Sequence, residues 1–283
     1  MKKIRKMILL FEAACLLALQ LLPVQAKENM IPDYELKFLL NSDMVLNSDD
    51  ELKKDYRNLF NTGKSYDKIS VLYIETAEYD FSEQGWYNRI RVKEDADEFE
   101  LTYKKRYSIS DGDIEAALTL ANQEGFDISD TNYEAEVDWG YEKMTLSLSR
   151  NKEASNKGYD DLELPKKGDA IDILKSNMPG KEENWLYDNW GTDTIEEGKK
   201  CGPLTYLKYK GDISGIDIVV EIWPITNKTS GETTYLTELS FKEDDYAAAV
   251  QNRQLVMDYL EQAGILLHED SLKTQRILAA YLE

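Results

Sequence analysis

The sequence predicts an α+β chain built on antiparallel strands with charged faces, and three stretches carry that expectation. In Asp33-Tyr34-Glu35-Leu36-Lys37, charged and apolar residues alternate. A strand sends successive side chains to opposite faces, so Asp33, Glu35 and Lys37 share one face. In Trp86 to Val92, Arg89 and Arg91 face away from Ile90 and Val92. In Glu98 to Tyr107, Thr102, Lys104 and Arg106 oppose Leu101 and Tyr103. With Asp95-Ala96-Asp97 as the turn, the last two stretches form an antiparallel hairpin with a cationic face. Helix-period segments at Ser108 to Gly125 and about Asp244 to Gln262 supply the α part. From alternation alone, a wet outer face is the commoner reading of such strands. Like charges on paired strands need either solvent to screen them or inward-facing counter-charges and anions to neutralise them.

The first 26 residues stand apart. Lys2, Lys3, Arg5 and Lys6 precede an apolar run from Met7 to Leu22, and Pro23-Val24-Gln25-Ala26 supplies small residues for cleavage. This pattern predicts a secretory signal peptide over residues 1–26 and an exported chain, secreted or held in the cell envelope, from Lys27. The apolar run is short and interrupted for a membrane span, and no membrane insertion is expected after cleavage. The formal net charge is −20, and the leader's four basic residues and one acidic residue leave −23 on the rest. Duplex nucleic acid and anionic membranes are poor partners for that surface. Cys15 leaves with the leader, so Cys201 has no partner for an intramolecular disulfide. His268, the only histidine, is expected in a loop between two C-terminal helical segments. Its isolation argues against Ser-His-Asp or Cys-His catalysis and against a histidine-rich zinc site. Carboxylates, lysines and arginines must carry any chemistry.

Between these landmarks, Ser48-Asp49-Asp50-Glu51 starts a helix, and Ile69 to Glu75 is β-branched and strand-like. Gln84-Gly85 signals a turn. Ser110 is the expected cap of the helix that follows the hairpin. Strands are expected at Tyr133 to Trp139, Lys143 to Ser149, Leu204 to Lys210, Ile216 to Trp223 and Thr233 to Lys242. Asn151 to Lys200 has the weakest pattern, with a short helix at Asp169 to Asn177. Trp185 and Trp190 within it read more readily as packing than as a binding surface. Gly264 ends the long helix, and Ser271 to Leu282 forms the last one.

The ordered motifs resemble the CYTH family, the triphosphate tunnel metalloenzymes, which include inorganic, thiamine and RNA triphosphatases and class IV adenylate cyclases. Asp33-x-Glu35-x-Lys37 is similar to its opening Glu-x-Glu-x-Lys strand. Arg89-x-Arg91 resembles its Arg-x-Arg strand, and Thr102-x-Lys104 its Thr-x-Lys strand. Lys208-x-Lys210 stands where the family has Lys-x-Arg, Asp217 at its later acidic position, and Leu236 to Ser240 at its Phe-Val-Glu-Ile-Glu strand. The likeness covers most of residues 31–283, with residues 151–200 a family-atypical insertion in one CYTH-like domain over residues 27–283. It implies an eight-stranded antiparallel tunnel barrel with flanking helices and inward charges. It further implies Mg²⁺ or Mn²⁺ on Asp33, Glu35, Asp217 and Glu238. Phosphate would lie on Lys37, Arg89, Arg91, Lys104, Lys208 and Lys210, with Glu35 and Lys37 as the catalytic residues. The implied activity is hydrolysis of a triphosphate or polyphosphate. Three positions depart from the family's pattern, Asp33 for Glu, Lys210 for Arg and Ser240 for Glu, and the last two motivate an alternative, a non-catalytic phosphate-binding protein on the same scaffold. A third reading, an acidic exported interaction module, requires the charged faces to point outward.

Overall fold

The computed structural model describes residues 27–283, and the expected leader lies outside them. Nine strands close on themselves: β1 (Asp33–Leu40), β2 (Asp67–Glu75), β3 (Trp86–Lys93), β4 (Glu98–Ile109), β5 (Glu134–Trp139), β6 (Met144–Ser155), β7 (Lys199–Ile213), β8 (Ile216–Thr226) and β9 (Thr233–Glu243). Their spatial order is β1-β5-β6-β4-β3-β2-β7-β8-β9, and β9 pairs back onto β1. A two-residue β10 (Leu266–Leu267) extends the edge at Leu39 and Leu40.

Two details correct the expected eight-stranded antiparallel barrel. Among the described residues there are nine barrel strands, and β1 runs parallel to β5, with Glu35 level with Asp138. The other barrel pairings are antiparallel. The parallel contact arises because the chain crosses the barrel between β4 and β5, through α4 (Ile114–Gln123), instead of turning back in a hairpin. That helix also starts later than expected. Ser108 and Ile109 pair with Thr145 and Met144 and so prolong β4. Asp111 and Gly112 then take positive φ, and the side chain of Asp113, not Ser110, accepts from Ala116 N. Strand pairing outweighs the local capping signal.

The remaining helices are α1 (Ser42–Val45), α2 (Lys54–Leu59), α3 (Asp80–Glu83), α5 (Lys167–Asn177), α6 (Gly180–Glu183), α7 (Trp190–Glu196), α8 (Tyr246–Gln262) and α9 (Lys273–Leu282). None among the described residues is long and apolar enough to cross a membrane. The weakly patterned stretch thus resolves into the end of β6, three helices and the start of β7.

Two apolar clusters divide the molecule. The larger gathers the outward side chains of the barrel, including Leu36, Phe38, Ile90, Leu101, Val137 and Leu146, beneath the helices. Helix α5 is held there by Tyr103, whose hydroxyl donates to Leu174 O at 2.7 Å. The smaller cluster lies on the inner face. Val71, Tyr73, Cys201, Leu204, Tyr206 and Trp223 meet Ile277 and Leu278 of α9, which closes one end of the barrel. Gly85 sets the start of β3: its φ is +73°, and a Cβ there would lie 2.6 Å from Arg106 O. Only glycine tolerates both demands.

Candidate functional site

Alternation on each strand decides what enters the lumen. Leu36 and Phe38 of β1 are fully buried under helices, so Glu35 and Lys37 point the other way, into the barrel. The same parity places Glu136 and Asp138 of β5, Thr102, Lys104 and Arg106 of β4, Arg89 and Arg91 of β3, Glu221 of β8 and Glu238 of β9 inside. The charged faces therefore point inward, which removes the outward-facing arrangement that an acidic interaction module requires.

Lys37 is the hub. Its Nζ lies 2.6 Å from Glu35 Oε2 and 2.5 Å from Asp138 Oδ1. Asp138 also accepts from Ser147 Oγ and lies 3.8 Å from Arg106 Nε. Glu136 pairs with Lys242 of β9. Burial works against charge on Lys37, Asp138 and Glu35, but the ion pairs prevail at all three. Lys37 is held well above the ordinary lysine value by Asp138, Glu35 and Glu238. Asp138 is held well below the carboxylate range by Lys37, Lys104 and Arg106, and Glu35 falls to about 2 chiefly through Lys37. Glu136 goes the other way, raised by burial and by repulsion from Glu35 and Asp138.

Glu35, Glu136 and Asp138 each offer an oxygen within 4.8 Å of the others. Three hard oxygen donors this close repel unless cations stand among them, and they suit Mg²⁺ or Mn²⁺ better than softer ions. The donor set therefore fits the implied metal, though only Glu35 of the four expected ligands belongs to it. Glu238 is buried elsewhere in the lumen, where Lys273 of α9 bridges it at 2.8 Å and Glu221 at 2.9 Å. Lys273 also lies 4.4 Å from the Trp223 ring centroid, and Trp223 Nε1 donates to Glu221 at 3.0 Å. Asp33 and Asp217 are exposed, Asp33 at the start of β1 and Asp217 beside the β7–β8 turn opposite Asp212.

The cations are less fully matched. Arg89 donates to Thr102 Oγ1 at 2.9 Å, and Arg91 lies 2.5 Å from Glu100 Oε1. The Nε atoms of Arg89 and Arg106 are buried without a hydrogen-bond partner among the described residues. Lys104 makes no ion pair among the described residues, and burial brings it down to about 8. Lys208 is half-buried and faces Glu221 across the β7–β8 ladder, while Lys210 is exposed at the rim. That rim, with Arg91, Lys93, Lys157 and Lys208, lines a cavity of about 990 Å³. A second cavity, about 610 Å³, reaches Lys37, Asp138, Glu238 and Lys273 beside the start of α9.

Among the expected residues, Glu35, Lys37, Arg89, Arg91, Lys104, Lys208 and Glu238 thus share the lumen. Asp33, Lys210 and Asp217 stay at its edges. Sequence reasoning missed Glu136, Asp138, Glu221 and Lys273. The acid-x-acid-x-acid alternation of Glu134-Ala135-Glu136-Val137-Asp138 carried the signal for the first two. Lys273, at a helix start far along the chain, carried none.

No family model matches the chain, and no curated protein matches it in sequence. Its likeness is structural. Superposition on HpAC1 of Hippeastrum, provisionally assigned as an adenylyl cyclase and found to have a dominant triphosphatase activity, gives a TM-score of 0.54 at 11% identity, over 88% of this chain and 96% of that one. The chain has the CYTH-type tunnel fold. A provisionally assigned adenylate cyclase of Bacillus halodurans is more distant, with a TM-score of 0.44, 14% identity, and 88% and 98% of the two chains covered. The Pyrococcus horikoshii OT3 protein PH1819 gives 0.41 and 14%, over 86% and 97%.

Proposed function

We propose that this CYTH-type barrel binds a triphosphate in its charged lumen and hydrolyses it with Mg²⁺ or Mn²⁺, in an exported protein. The observation that carries the reading is the set of under-used cations, Lys104 and the orphaned Nε atoms of Arg89 and Arg106, beside the Glu35, Glu136 and Asp138 cluster. Buried donors without partners are costly, and phosphate oxygens are the acceptors that guanidinium and ammonium groups match best. The dominant triphosphatase activity of HpAC1, a protein of the same fold, supports this choice.

In this reading Glu35, Glu136 and Asp138 would hold the metal, which when bound would neutralise phosphate charge. Lys37 is pinned by Glu35 and Asp138, so it presents a fixed positive charge to a phosphate oxygen without reorganising. Arg89, Arg91, Lys104 and Arg106 line up the rest of the chain of phosphates. Water attacks the terminal phosphorus, a new P–O bond forms as the bridging P–O bond breaks, and the water proton passes to a lumen carboxylate. Phosphate release from tripolyphosphate in the presence of Mn²⁺ tests the reading; no release with Mg²⁺ or Mn²⁺ would end it as a hydrolase.

One observation favours binding without turnover. Lys273 occupies the Glu221–Glu238 pair, so that pair holds an ammonium where it would otherwise be free for a cation. Calorimetry showing tight tripolyphosphate binding with no phosphate release would select this second reading. The outer charge remains strongly acidic, consistent with a phosphate site confined to the lumen.

A further inference from the structure

The lumenal face of β6 is neutral where the facing strands are charged. Ser147 of β6 donates to Asp138 Oδ2 in the lumen, while Leu146 and Leu148 pack outward under the helices. Strand parity therefore turns Ser149 and Asn151 inward with Ser147. Register sets Arg89, Thr102 and Asn151 side by side on β3, β4 and β6, Arg89 opposite Thr102 and Thr102 opposite Asn151. Two hydrogen bonds join the row. Arg89 Nη2 donates to Thr102 Oγ1 at 2.9 Å, and Thr102 Oγ1 donates to Asn151 Oδ1 at 3.0 Å. Only one direction is open to this relay. A guanidinium has donors and no acceptor, so Thr102 must accept from Arg89 and give its single proton to Asn151. Asn151 must then turn its carbonyl oxygen to Thr102 and its amide nitrogen away, which settles the orientation of the amide. Its Nδ2 has no hydrogen-bond partner among the described residues. Lys104 and Ser149 form the next row on one side, and Glu100 and Glu153 the next on the other. An ammonium at position 151 would be drawn to those two carboxylates; an uncharged amide keeps its N–H groups for a ligand.

We propose that Asn151 is a phosphate-contacting residue of the lumen, its Nδ2 aimed at a phosphate oxygen beside Arg89 by the one-way relay Arg89–Thr102–Asn151. This rests on the phosphate reading above and adds to it a neutral donor outside the ordered charged motifs. Thr102, which is buried, is the positioning residue. The same hydroxyl orients the amide and holds one arm of Arg89, so both donors stand in place before the ligand arrives.

Calorimetric titration with tripolyphosphate and Mn²⁺ tests the inference on the parent, Asn151→Ala, Thr102→Val, their double variant and Thr102→Ser. Asn151→Ala is expected to weaken binding about tenfold, the lower end of what a hydrogen bond to a charged group supplies. Asn151 is exposed, so its melting temperature should stay within about 2 °C of the parent's. Thr102→Val should weaken binding by about the same factor, and Thr102→Ser, which keeps the hydroxyl, should restore it to within about twofold. In the double variant the loss should fall short of the product of the two single losses, because both act through one amide. If Thr102→Val does not fold, Asn151→Ala decides alone. Binding by Asn151→Ala equal to the parent's overturns the inference, and so do a loss accompanied by a lower melting temperature and losses that multiply in the double variant. Each of these leaves the phosphate reading intact. Absence of tripolyphosphate binding in the parent overturns both.

Discussion

Glu182 of α6 offers a test of how the helical segment is seated on the barrel. Its carboxyl is fully buried, and neither oxygen has a hydrogen-bond partner among the described residues. Asn88 of β3 lies close enough to ease the charge slightly but forms no aligned hydrogen bond, and Tyr103 and Tyr133 are the other polar neighbours. Burial therefore raises the carboxyl from 4.5 to about 8. The folded state keeps the proton between those limits while the unfolded state has lost it. Stability consequently falls as pH rises from about 4.5 to 8, and is flat outside that window. At 1.36 kcal/mol per unit of pH, the loss is on the order of 4 kcal/mol. Glu182→Gln keeps the volume and removes the titration. Thermal unfolding of both proteins at pH 5 and pH 8 isolates the effect, because the other titrating groups are common to both. The variant should match the parent at pH 5 and melt about 10 °C higher at pH 8. An equal difference at the two pH values would refute the reasoning, as would a variant less stable at pH 8.

The lumen yields further expectations. Asp138→Ala leaves Lys37 and Arg106 short of their shared counter-charge and should destabilise the fold by about 3 kcal/mol, read as a lower denaturant midpoint. Lys104→Met removes a proposed phosphate donor and should weaken tripolyphosphate binding by about tenfold or more in calorimetry. In the parent, binding should weaken as pH rises through about 8, because the Lys104 charge is present below that value and lost above it. Tyr103→Phe removes the hydroxyl from Leu174 O and should cost about 1–2 kcal/mol on thermal unfolding. Mn²⁺ should raise the melting point of the parent, and Glu35→Gln should diminish that rise.

The alternating stretches made most of the barrel legible. Period-2 runs at Asp33 to Lys37, Arg89 to Arg91 and Thr102 to Arg106 identify strands and assign residues to faces. They do not say which face is inside; that follows only from closure of β9 onto β1 and from the helices that cover Leu36, Phe38 and Ile90. The parallel β1–β5 contact was hidden for a similar reason, since pairing across a crossover leaves no local trace. It is this contact that brings Glu35 level with Asp138 and creates the three-carboxylate cluster. The weak pattern of residues 151–200 reflects short helices: α6 spans four residues and α7 seven, too few to show a periodic face. Asp217 illustrates the opposite error, because an acidic residue with lumenal parity at a hairpin end still reaches solvent.

The central claim is that the lumen grips a triphosphate through Lys37, Arg89, Lys104 and Arg106 beside the Glu35–Glu136–Asp138 cluster. Calorimetric titration of the parent and of an Arg89→Ala, Arg106→Ala double variant with tripolyphosphate and Mn²⁺ tests it most directly. One site per chain in the parent, weakened by about a hundredfold in the double variant, is the predicted result. No binding by the parent, or equal binding by a folded double variant, would contradict it.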